Sequence, residues 1–297
     1  MTDTFNPLIG LNVWARSSRL ALNKPLLVLL ALGLLSQGKK DIAFASVEVK
    51  LNNLLREFGS NVKSPRAEYP FWRLKNDDIW TVTPGDLDVN SSGDVYATTL
   101  RKVQATGRFT QNVLDWLFAD KKRLTTATHD VLNVYFPDSL HDELLSAVGF
   151  IAFDEPAPKV RRDPNFRAAV LSAYRLRCAV CSQDVRIGSM TVALEAAHIK
   201  WHQAGGPDIV SNGLCLCSTH HKLFDLGAFT INENLHLLVS EHITGSDQLD
   251  ELLLRYHARE IARPVQQEQM PDSSHLRWHR QIVFKEGSLP YADLGFR

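Results

Sequence analysis

The feature that most constrains the fold of this 297-residue chain is a group of cysteines in its second half. The chain contains four cysteines, and they all lie within the 40 positions 178–217. It begins MTDTFNPLIG, without the basic segment and apolar core of a secretory signal, so we expect an intracellular, cytoplasmic protein with reduced thiols. Reduced cysteines at short spacing with histidines nearby typically bind a metal.

Two pairs of these residues have the spacing of metal ligands: Cys178-x-x-Cys181 and Cys217-x-x-His220. Three thiolates and one imidazole suit a tetrahedral Zn²⁺ with no open position, which would have a structural role. Cys215 is an alternative to Cys217, although the two-residue gap from Cys217 to His220 matches the first pair. The remaining alternative is a set of buried, reduced cysteines without a metal.

Hydrophobic periodicity predicts an α+β protein whose first half is mainly helical. We expect helices over residues 25–35, 47–58, 108–118, 128–135, 142–148 and 166–176, with Ser46 capping the second helix and Gly59 closing it. The aromatic stretch 69–82 predicts a short hairpin. Residues 153–164 contain three prolines and no apolar period, which predicts a linker between a domain at 1–152 and another at 165–297.

The charge distribution is compatible with a polyanionic partner. Lys and Arg total 33 and balance 33 Asp and Glu, but residues 16–40 carry five basic residues and no acidic one. Residues 159–177 carry six basic residues and one acidic one. Phosphate binding depends on where such charges lie rather than on their sum. The longest apolar run, residues 26–35, is about half the ~20 residues needed to cross a bilayer, so we expect no membrane helix.

A second group of polar residues lies between and around the metal-ligand pairs. Its members, in chain order, are Glu195, His198, Gly205-Gly206, Asn212 and His221. Together with the cysteine pairs, this order resembles the HNH endonuclease motif of the ββα-metal nucleases over residues 165–235. The resemblance implies two strands and a helix around a divalent cation, most plausibly Mg²⁺ or Mn²⁺. It further implies His198 as the general base, His221 as a metal ligand, and Asn212 as a ligand or as the residue that ties down the loop carrying the base.

One position departs from this family pattern. Many members place an Asp or a His immediately before the base, where this chain has Ala197. Glu195 points to the same side of a strand as Ala197, and Asp225 follows His221 by one helical turn, so either carboxylate can replace the missing cation ligand. Glu195 is the preferred candidate, and its alternative is an ordinary carboxylate on a strand. An alternative for the whole trio is a zinc module that binds DNA without cutting it.

The first half of the chain contains several short motifs: Asn23-Lys24-Pro25, the Phe-Gly at 58–59, the segment from Tyr69 to Leu74 (YPFWRL) and Trp80. With these motifs it resembles the sulfur-binding domain of phosphorothioation-dependent restriction enzymes. These enzymes pair such a domain with a C-terminal HNH nuclease, so the resemblance covers nearly the whole chain.

The resemblance also implies how the modification would be recognised. A phosphorothioate sulfur is larger and less hydrated than oxygen, so its site needs an apolar wall beside cations for the remaining charge. Tyr69, Pro70 and Phe71 are the candidate wall, whereas Trp72 and Leu74 are expected in the core. The candidate cations are Lys24, Arg66 and Arg73, and Asn23 is a candidate for reading a base edge or a phosphate.

Three functions follow from these features. The first is a restriction endonuclease that binds phosphorothioated double-stranded DNA and hydrolyses phosphodiester bonds nearby. We expect it to act as a homodimer on DNA, because one cation site cuts one strand. The second is an HNH nuclease that reads another mark, such as methylated cytosine. The third is a non-catalytic, zinc-containing DNA-binding regulator. The basic and aromatic tail around His275–Arg280 would contact DNA or pack on the nuclease domain.

Overall fold

The computed structural model describes residues 6–13, 15–16, 19–59, 64–151, 164–285 and 287–289. The chain divides into two compact units, Met1–Lys159 and Val160–Arg297. The predicted linker, residues 153–164, lies outside the described residues except for Pro164, so the domain limits given above stay a prediction. Among the helices of the described ranges, none has the length and apolar character needed to span a bilayer.

Helices predominate in the first unit, and the combination of helices with short antiparallel strands confirms the predicted α+β class. The helices are α1 (Asn23–Ser36), α2 (Phe44–Glu57), α3 (Glu68–Arg73), α4 (Ala97–Lys102), α5 (Gln111–Phe118), α6 (Arg123–Tyr135) and α7 (His141–Val148). The strands are β1 (Ala15–Arg16), β2 (Arg19–Leu20), β3 (Ile42–Ala43), β4 (Trp80–Thr83) and β5 (Thr106–Phe109). β5 lies between β3 and β4 in a three-stranded antiparallel sheet.

Helix α1 forms the centre of the first unit because it is apolar on all sides. It packs against α2, α3, α6 and α7. A Cβ on Gly33 would lie 2.6 Å from the carbonyl oxygen of Val148, so a glycine is needed for α7 to approach α1 this closely. The predicted helix over residues 25–35 is confirmed, with Pro25 in the first turn, where its missing N–H costs no hydrogen bond.

A chain of aromatic rings joins the sheet of the first unit to its helices. Phe44, Phe71, Trp80 and Phe109 form successive edge-to-face pairs with centroid distances of 5.1, 5.8 and 5.6 Å. The indole of Trp80 also donates a hydrogen bond of 3.1 Å to the carbonyl oxygen of Phe71. A Cβ on Gly107 would lie 2.2 Å from the Trp80 ring, so this glycine makes room for the indole against β5.

The hairpin predicted over residues 69–82 is wrong. Glu68–Arg73 is helical, and a 3₁₀ turn over Leu74–Asp77 follows it. Pro70 falls in the first helical turn, where a missing N–H is tolerated. β4 pairs with β5, more than 20 residues later, rather than with its immediate neighbours.

Two other local predictions are corrected. The helix predicted over 108–118 begins at Gln111, because residues 106–109 alternate between half-buried and buried side chains as strand β5. Ser46 is not the N-cap of α2; the helix begins at Phe44, and the Ser46 hydroxyl donates 2.7 Å to the carbonyl oxygen of Ala43. The helices predicted over 128–135 and 142–148 are confirmed within α6 and α7.

The second unit contains the predicted two strands and a helix. Its helices are α8 (Pro164–Ala173), α9 (Ser218–Asp225), α10 (Gln248–Leu252) and α11 (Ser273–Ile282). Its strands are β6 (Arg186–Ile187), β7 (Met190–Thr191), β8 (Leu194–His198), β9 (Gly213–Cys217), β10 (Phe229–Ile231) and β11 (Leu237–Val239). β8 pairs antiparallel with β9, from Leu194 opposite Cys217 to His198 opposite Gly213, and α9 follows β9 directly.

Helix α8 is shorter than the predicted helix over 166–176. It ends at Ala173, and Arg175 and Leu176 have φ angles of 54° and 56°, which a right-handed helix does not contain. This left-handed turn leads directly to Cys178.

Helix α11 packs against α9 and β10 of the second unit through the buried His279. His279 stacks on Phe224 with a centroid distance of 3.6 Å and an interplanar angle of 1°. Its Nε2 donates 3.0 Å to the carbonyl oxygen of Phe224, so Nδ1 accepts the hydroxyl hydrogen of Thr230 at 2.9 Å. Burial, only partly offset by the Phe224 carbonyl, lowers the pKa of His279 to about 4.

This buried imidazole predicts a loss of stability in acid. Below pH 6.5 the unfolded chain binds a proton at His279, whereas the folded chain does not until about pH 4, so the free energy of unfolding falls as the pH drops through this window. The contribution amounts to about 3 kcal/mol at its limit. We expect urea unfolding of His279→Gln to show a weaker pH dependence between pH 7 and pH 4.5 than the wild type.

The exposed His242 provides the matched control, since its side chain is 66% exposed. His242→Gln should retain the pH dependence of the wild-type protein. An identical pH dependence in the wild type and His279→Gln would contradict this account.

Candidate functional sites

The first candidate site of the second unit is a Cys₃His cluster. Cys178, Cys181, Cys217 and His220 place their ligand atoms within 4.8 Å of one another. The His220 Nδ1 atom lies 3.0 Å from the Cys217 sulfur, while its Nε2 donates 2.8 Å to the carbonyl oxygen of Leu252. This second contact leaves Nδ1 as the ligand atom, a common arrangement for metal-binding histidines.

Electrostatics in the cluster favour a thiolate beside a charged imidazole. Hydrogen bonds from the thiols of Cys181 and Cys217 lower the pKa of Cys178. Burial lowers the pKa of His220, but the hydrogen bonds to Cys178 and Cys181 outweigh it and raise this pKa to about 10. A bound cation would replace the shared protons of these groups, so the donor set fits a closed, tetrahedral metal site.

Cys215 lies outside this cluster, although the sequence left it as an alternative to Cys217. It is buried within β9, opposite Ala196, and burial raises the pKa of its thiol to about 12. Cys217 instead stands at the N-cap of α9, where its sulfur accepts the backbone N–H of His220.

The second candidate site surrounds His221, which is 4% exposed. Its Nδ1 lies 2.6 Å from Glu195 Oε2, and its Nε2 lies 3.1 Å from Asp225 Oδ2. Burial lowers the pKa of this histidine, but the carboxylates of Asp225 and Glu195 raise it further, to about 9. Glu195 and Asp225, the two carboxylates predicted to replace the cation ligand that Ala197 cannot provide, therefore both contact His221.

These two carboxylates are themselves held in place. Ser218, at the start of α9, donates 2.6 Å to Glu195 Oε1. The indole of Trp201 donates 3.1 Å to Asp225 Oδ1, and Trp278 of α11 lies edge-on to that indole at 5.9 Å. Because the two carboxylates lie against opposite ring nitrogens, one nitrogen of His221 can bind a cation beside its carboxylate while the other stays hydrogen-bonded and orients the ring.

His198 has a different set of partners at the end of β8. Its Nε2 lies 2.7 Å from Asp208 Oδ1, and its ring stacks on Phe166 of α8 at a centroid distance of 4.2 Å. The side chain is 8% exposed. Trp201 follows three residues after His198, so the segment carrying His198 also contacts the His221 site through Asp225.

Asn212 holds the loop between these strands. Its Oδ1 accepts 2.9 Å from the Lys200 backbone N–H, and its Nδ2 donates 3.0 Å to the carbonyl oxygens of Lys200 and Pro207. The side chain is fully buried. Of the two roles that the family resemblance left open, these contacts favour tying down the loop over binding the cation.

Steric constraints explain the glycine pair Gly205-Gly206, which precedes Asn212. Gly205 has a φ of +75°, which glycine adopts readily. A Cβ on Gly206 would lie 1.8 Å from the carbonyl oxygen of Lys200, so no other residue fits at this turn.

The candidate site of the first unit is a pocket with a volume of about 180 Å³. The lining residues are Asn12, Val13, Ala21, Asn23, Lys24, Tyr69, Pro70, Arg73 and Asn76. Five of the seven residues predicted for DNA and sulfur binding are therefore brought together in one pocket: Asn23, Lys24, Tyr69, Pro70 and Arg73.

Phe71 does not belong to this pocket, and its predicted place in the apolar wall is wrong. It is fully buried between Phe44 and Trp80, because it follows Pro70 on α3 and points into the core rather than outward. The expectation that Trp72 and Leu74 are core residues is confirmed. Arg66 lies outside the lining but donates a hydrogen bond of 2.6 Å to the Tyr69 hydroxyl, so it contacts one residue of the pocket wall.

Buried carboxylates hold both cations of the pocket. Lys24 donates to Asp77, whose side chain is 2% exposed, and to the carbonyl oxygen of Asn12 at 3.0 Å. Arg73 makes a bidentate pair with Asp94 at 2.5 and 2.6 Å, and this hydrogen-bonded pairing raises the guanidinium pKa.

Sequence reasoning missed several residues of these sites. Asn12, Val13, Ala21 and Asn76 line the pocket without belonging to the quoted motif, and Asp77, the partner of Lys24, lies within the stretch that was predicted as a hairpin. In the second unit, Asp208 and Phe166 were not named. Asp208 did carry a signal, because it is an acidic residue in the short loop between the glycine pair and Asn212.

Comparison with solved structures found similar proteins. The sulfur-binding domain of ScoMcrA complexed with phosphorothioated DNA is 22% identical, with a TM-score of 0.43, covering 49% of this chain and 95% of that one. The type IV phosphorothioation-dependent restriction endonuclease ScoMcrA is 22% identical, with a TM-score of 0.41, covering 49% and 32%. The modification-dependent TagI restriction endonuclease is 27% identical, with a TM-score of 0.30, covering 46% and 41%. A comparison with curated protein sequences found no similar protein.

Family models match both units of the chain. The HNH endonuclease model matches residues 178–232, which contain the Cys₃His cluster, His198, Asn212 and His221. The model of the ScoMcrA-like DNA sulfur-binding domain matches residues 2–153, about half of the chain, and includes the whole lining of the pocket. This chain therefore carries an HNH endonuclease domain and belongs to the ScoMcrA-like DNA sulfur-binding domain family.

Proposed function

We propose that this protein is a restriction endonuclease that binds phosphorothioated double-stranded DNA through its first unit and cleaves it with its HNH domain. The observation that carries this proposal is the pocket of the first unit, in which Asn23, Lys24, Tyr69, Pro70 and Arg73 come together. The membership of that unit in the sulfur-binding domain family supports the same ligand.

The chemistry of the pocket supports recognition of sulfur rather than of ordinary phosphate. Tyr69 and Pro70 offer an apolar surface for a large, polarisable and weakly hydrated atom. Lys24 and Arg73 offer N–H donors for the anionic group, and their ion pairs with Asp77 and Asp94 offset much of their charge. Charge alone therefore contributes little to the affinity of this pocket for an anion. The less hydrated phosphorothioate is then favoured over ordinary phosphate.

For the Cys₃His cluster we propose structural Zn²⁺, held by Cys178, Cys181, Cys217 and His220. The soft thiolate donors and the closed set of four ligands support this ion. Its role would be to join the turn after α8 to the start of α9.

For the His221 site we propose a catalytic divalent cation, Mg²⁺ or Mn²⁺, held by His221 Nδ1 and Glu195, while Asp225 accepts a hydrogen bond from Nε2 and orients the ring. Such a cation, when bound, supplies positive charge for the scissile phosphate and the leaving oxygen. The half-exposed carboxylate of Glu195 supports a hard cation at this position. Asn212 would keep the loop in place rather than bind the cation.

The proposed reaction is hydrolysis of a phosphodiester bond. His198 accepts a proton from water, the water oxygen forms a bond to phosphorus, and the bond to the leaving sugar oxygen breaks with its electron pair remaining on that oxygen, which then takes up a proton from solvent. A site of this kind cuts one strand, so a double-strand break takes two copies of the chain, as in the proposed homodimer, or two successive nicks.

The proposal is tested by incubating the protein and Mn²⁺ or Mg²⁺ with phosphorothioated, 5-methylcytosine-containing and unmodified plasmid of one sequence. We expect cleavage of the phosphorothioated plasmid alone. Cleavage of the methylated plasmid alone would favour the reader of another mark. Binding without cleavage of any plasmid would favour the non-catalytic regulator.

Tyr69→Ala should reduce the preference for sulfur. Removing the ring takes away part of the apolar wall while Lys24 and Arg73 remain, so the ratio of affinities for matched oligonucleotides with and without one sulfur should fall roughly tenfold, or about 1.4 kcal/mol. Tyr96→Ala is the control, because Tyr96 is 60% exposed in the same unit and does not line the pocket. An unchanged ratio in Tyr69→Ala would show that the pocket assignment is wrong.

His198→Ala should slow cutting strongly without affecting binding. Loss of a general base lowers a rate by about 10²- to 10⁴-fold. We expect this loss in cleavage of phosphorothioated DNA, measured beside DNA affinity and zinc content, which should both stay at wild-type values. His242→Ala, at an exposed position, should cleave normally. Cleavage by His198→Ala at the wild-type rate would refute the assigned base.

Cys178→Ser and Cys215→Ser should differ in metal content. Cys178 belongs to the cluster and Cys215 does not, so the first variant should lose zinc and the thermal stability of the second unit, while the second should keep one zinc per chain. Zinc is measured by elemental analysis of the purified proteins. Equal zinc content in the two variants would contradict the proposed ligand set.

A further inference from the structure

The imidazole of His198 is held on its edge and on its face by two residues outside the HNH trio. Asp208 Oδ1 lies 2.7 Å from Nε2, and the Phe166 ring stacks on the imidazole at 4.2 Å with an interplanar angle of 24°. The first contact comes from the loop between β8 and β9, and the second from α8. Two different elements therefore restrict the rotation of one side chain.

The contact with Asp208 has a chemical consequence. An ionised carboxylate only accepts hydrogen bonds, so Nε2 must carry the hydrogen of this pair. In the neutral imidazole the lone pair then resides on Nδ1. The carboxylate also stabilises the imidazolium that forms once Nδ1 has accepted a proton.

The position of Asp208 is determined by the same loop contacts that hold Asn212. The Asn212 Nδ2 donates to the carbonyl oxygen of Pro207, the residue immediately before Asp208. Gly206, one residue further back, fits against the Lys200 carbonyl only because it lacks a Cβ. These contacts hold the backbone immediately before Asp208, whose side chain is 35% exposed and reaches His198.

The stacking of Phe166 depends on a glycine on the facing strand. Gly213 lies opposite His198 in the β8–β9 pair. A Cβ at Gly213 would lie 2.4 Å from a methyl group of Val170 and 3.3 Å from the Phe166 ring. The absence of a side chain at this position lets α8 approach the strands closely enough for the ring to cover the imidazole.

We propose that Asp208 and Phe166 are positioning residues that orient His198, so that Nδ1 is the atom that accepts the proton of the attacking water. This proposal rests on the proposed function, since it assigns to His198 the role of the base. Neither residue is proposed to contact the DNA or the cation. Their effect should therefore appear in the rate of the chemical step and not in DNA affinity.

The experiment measures single-turnover cleavage of phosphorothioated DNA by the full-length protein, with enzyme in excess, beside DNA affinity, zinc content and melting temperature. Asp208→Asn should cleave about 10- to 100-fold more slowly, the usual range for loss of a residue that orients a functional histidine. Phe166→Leu should also cleave more slowly, with affinity unchanged. Asp250→Asn, an exposed Asp on α10, is the matched control and should cleave at the wild-type rate.

A double-mutant cycle separates positioning from general structural support. Once His198 has been replaced by Ala, Asp208→Asn should cause no further loss, because the side chain that it orients is gone. An equal loss from Asp208→Asn with and without His198 would overturn the inference, and so would wild-type cleavage by Asp208→Asn alone. A wild-type protein that cuts no phosphorothioated DNA would instead overturn the proposed function itself.

Discussion

The beginning of helix α9 is the point on which the second unit depends. Cys217 ends β9, caps α9 and belongs to the Cys₃His cluster, and His220 and His221 follow in the first helical turn. Adjacent positions on a helix point about 100° apart, so one histidine joins the cysteines while the next contacts Glu195 and Asp225. Any movement of the Cys₃His cluster would therefore move the candidate cleavage site as well.

Under the proposed function, the first unit must present cations to the DNA without binding phosphate indiscriminately. Its pocket pairs Lys24 with Asp77 and Arg73 with Asp94. Both carboxylates are almost completely buried, which makes the pairs less subject to screening by salt than exposed ones. The apolar surface beside them, from Tyr69 and Pro70, then has more influence on which anion binds.

Several features that depend on residues close together in the sequence were predicted correctly, whereas several that depend on residues far apart in the sequence were not. The Cys-x-x-Cys and Cys-x-x-His spacings and the apolar run of α1 are local, and the structure contains both the cluster and the helix. The hairpin predicted over residues 69–82 failed because β4 pairs with the distant β5. Phe71 was misplaced for a related reason, because an aromatic residue beside a binding motif has the same sequence signal in the core as in a pocket wall.

By itself, the sequence determined which chemical groups this protein has at its disposal: three thiols with a histidine at ligand spacing, the histidines and asparagine of an HNH motif, and a tyrosine-proline segment with basic residues. The tertiary structure alone decided how these groups are paired. It placed Cys217 rather than Cys215 in the cluster, both Glu195 and Asp225 on His221, and Asp208 on His198. The physical reason is that hydrogen bonds and ion pairs depend on distances of a few ångströms between side chains, and those distances arise only when separate strands, loops and helices pack together.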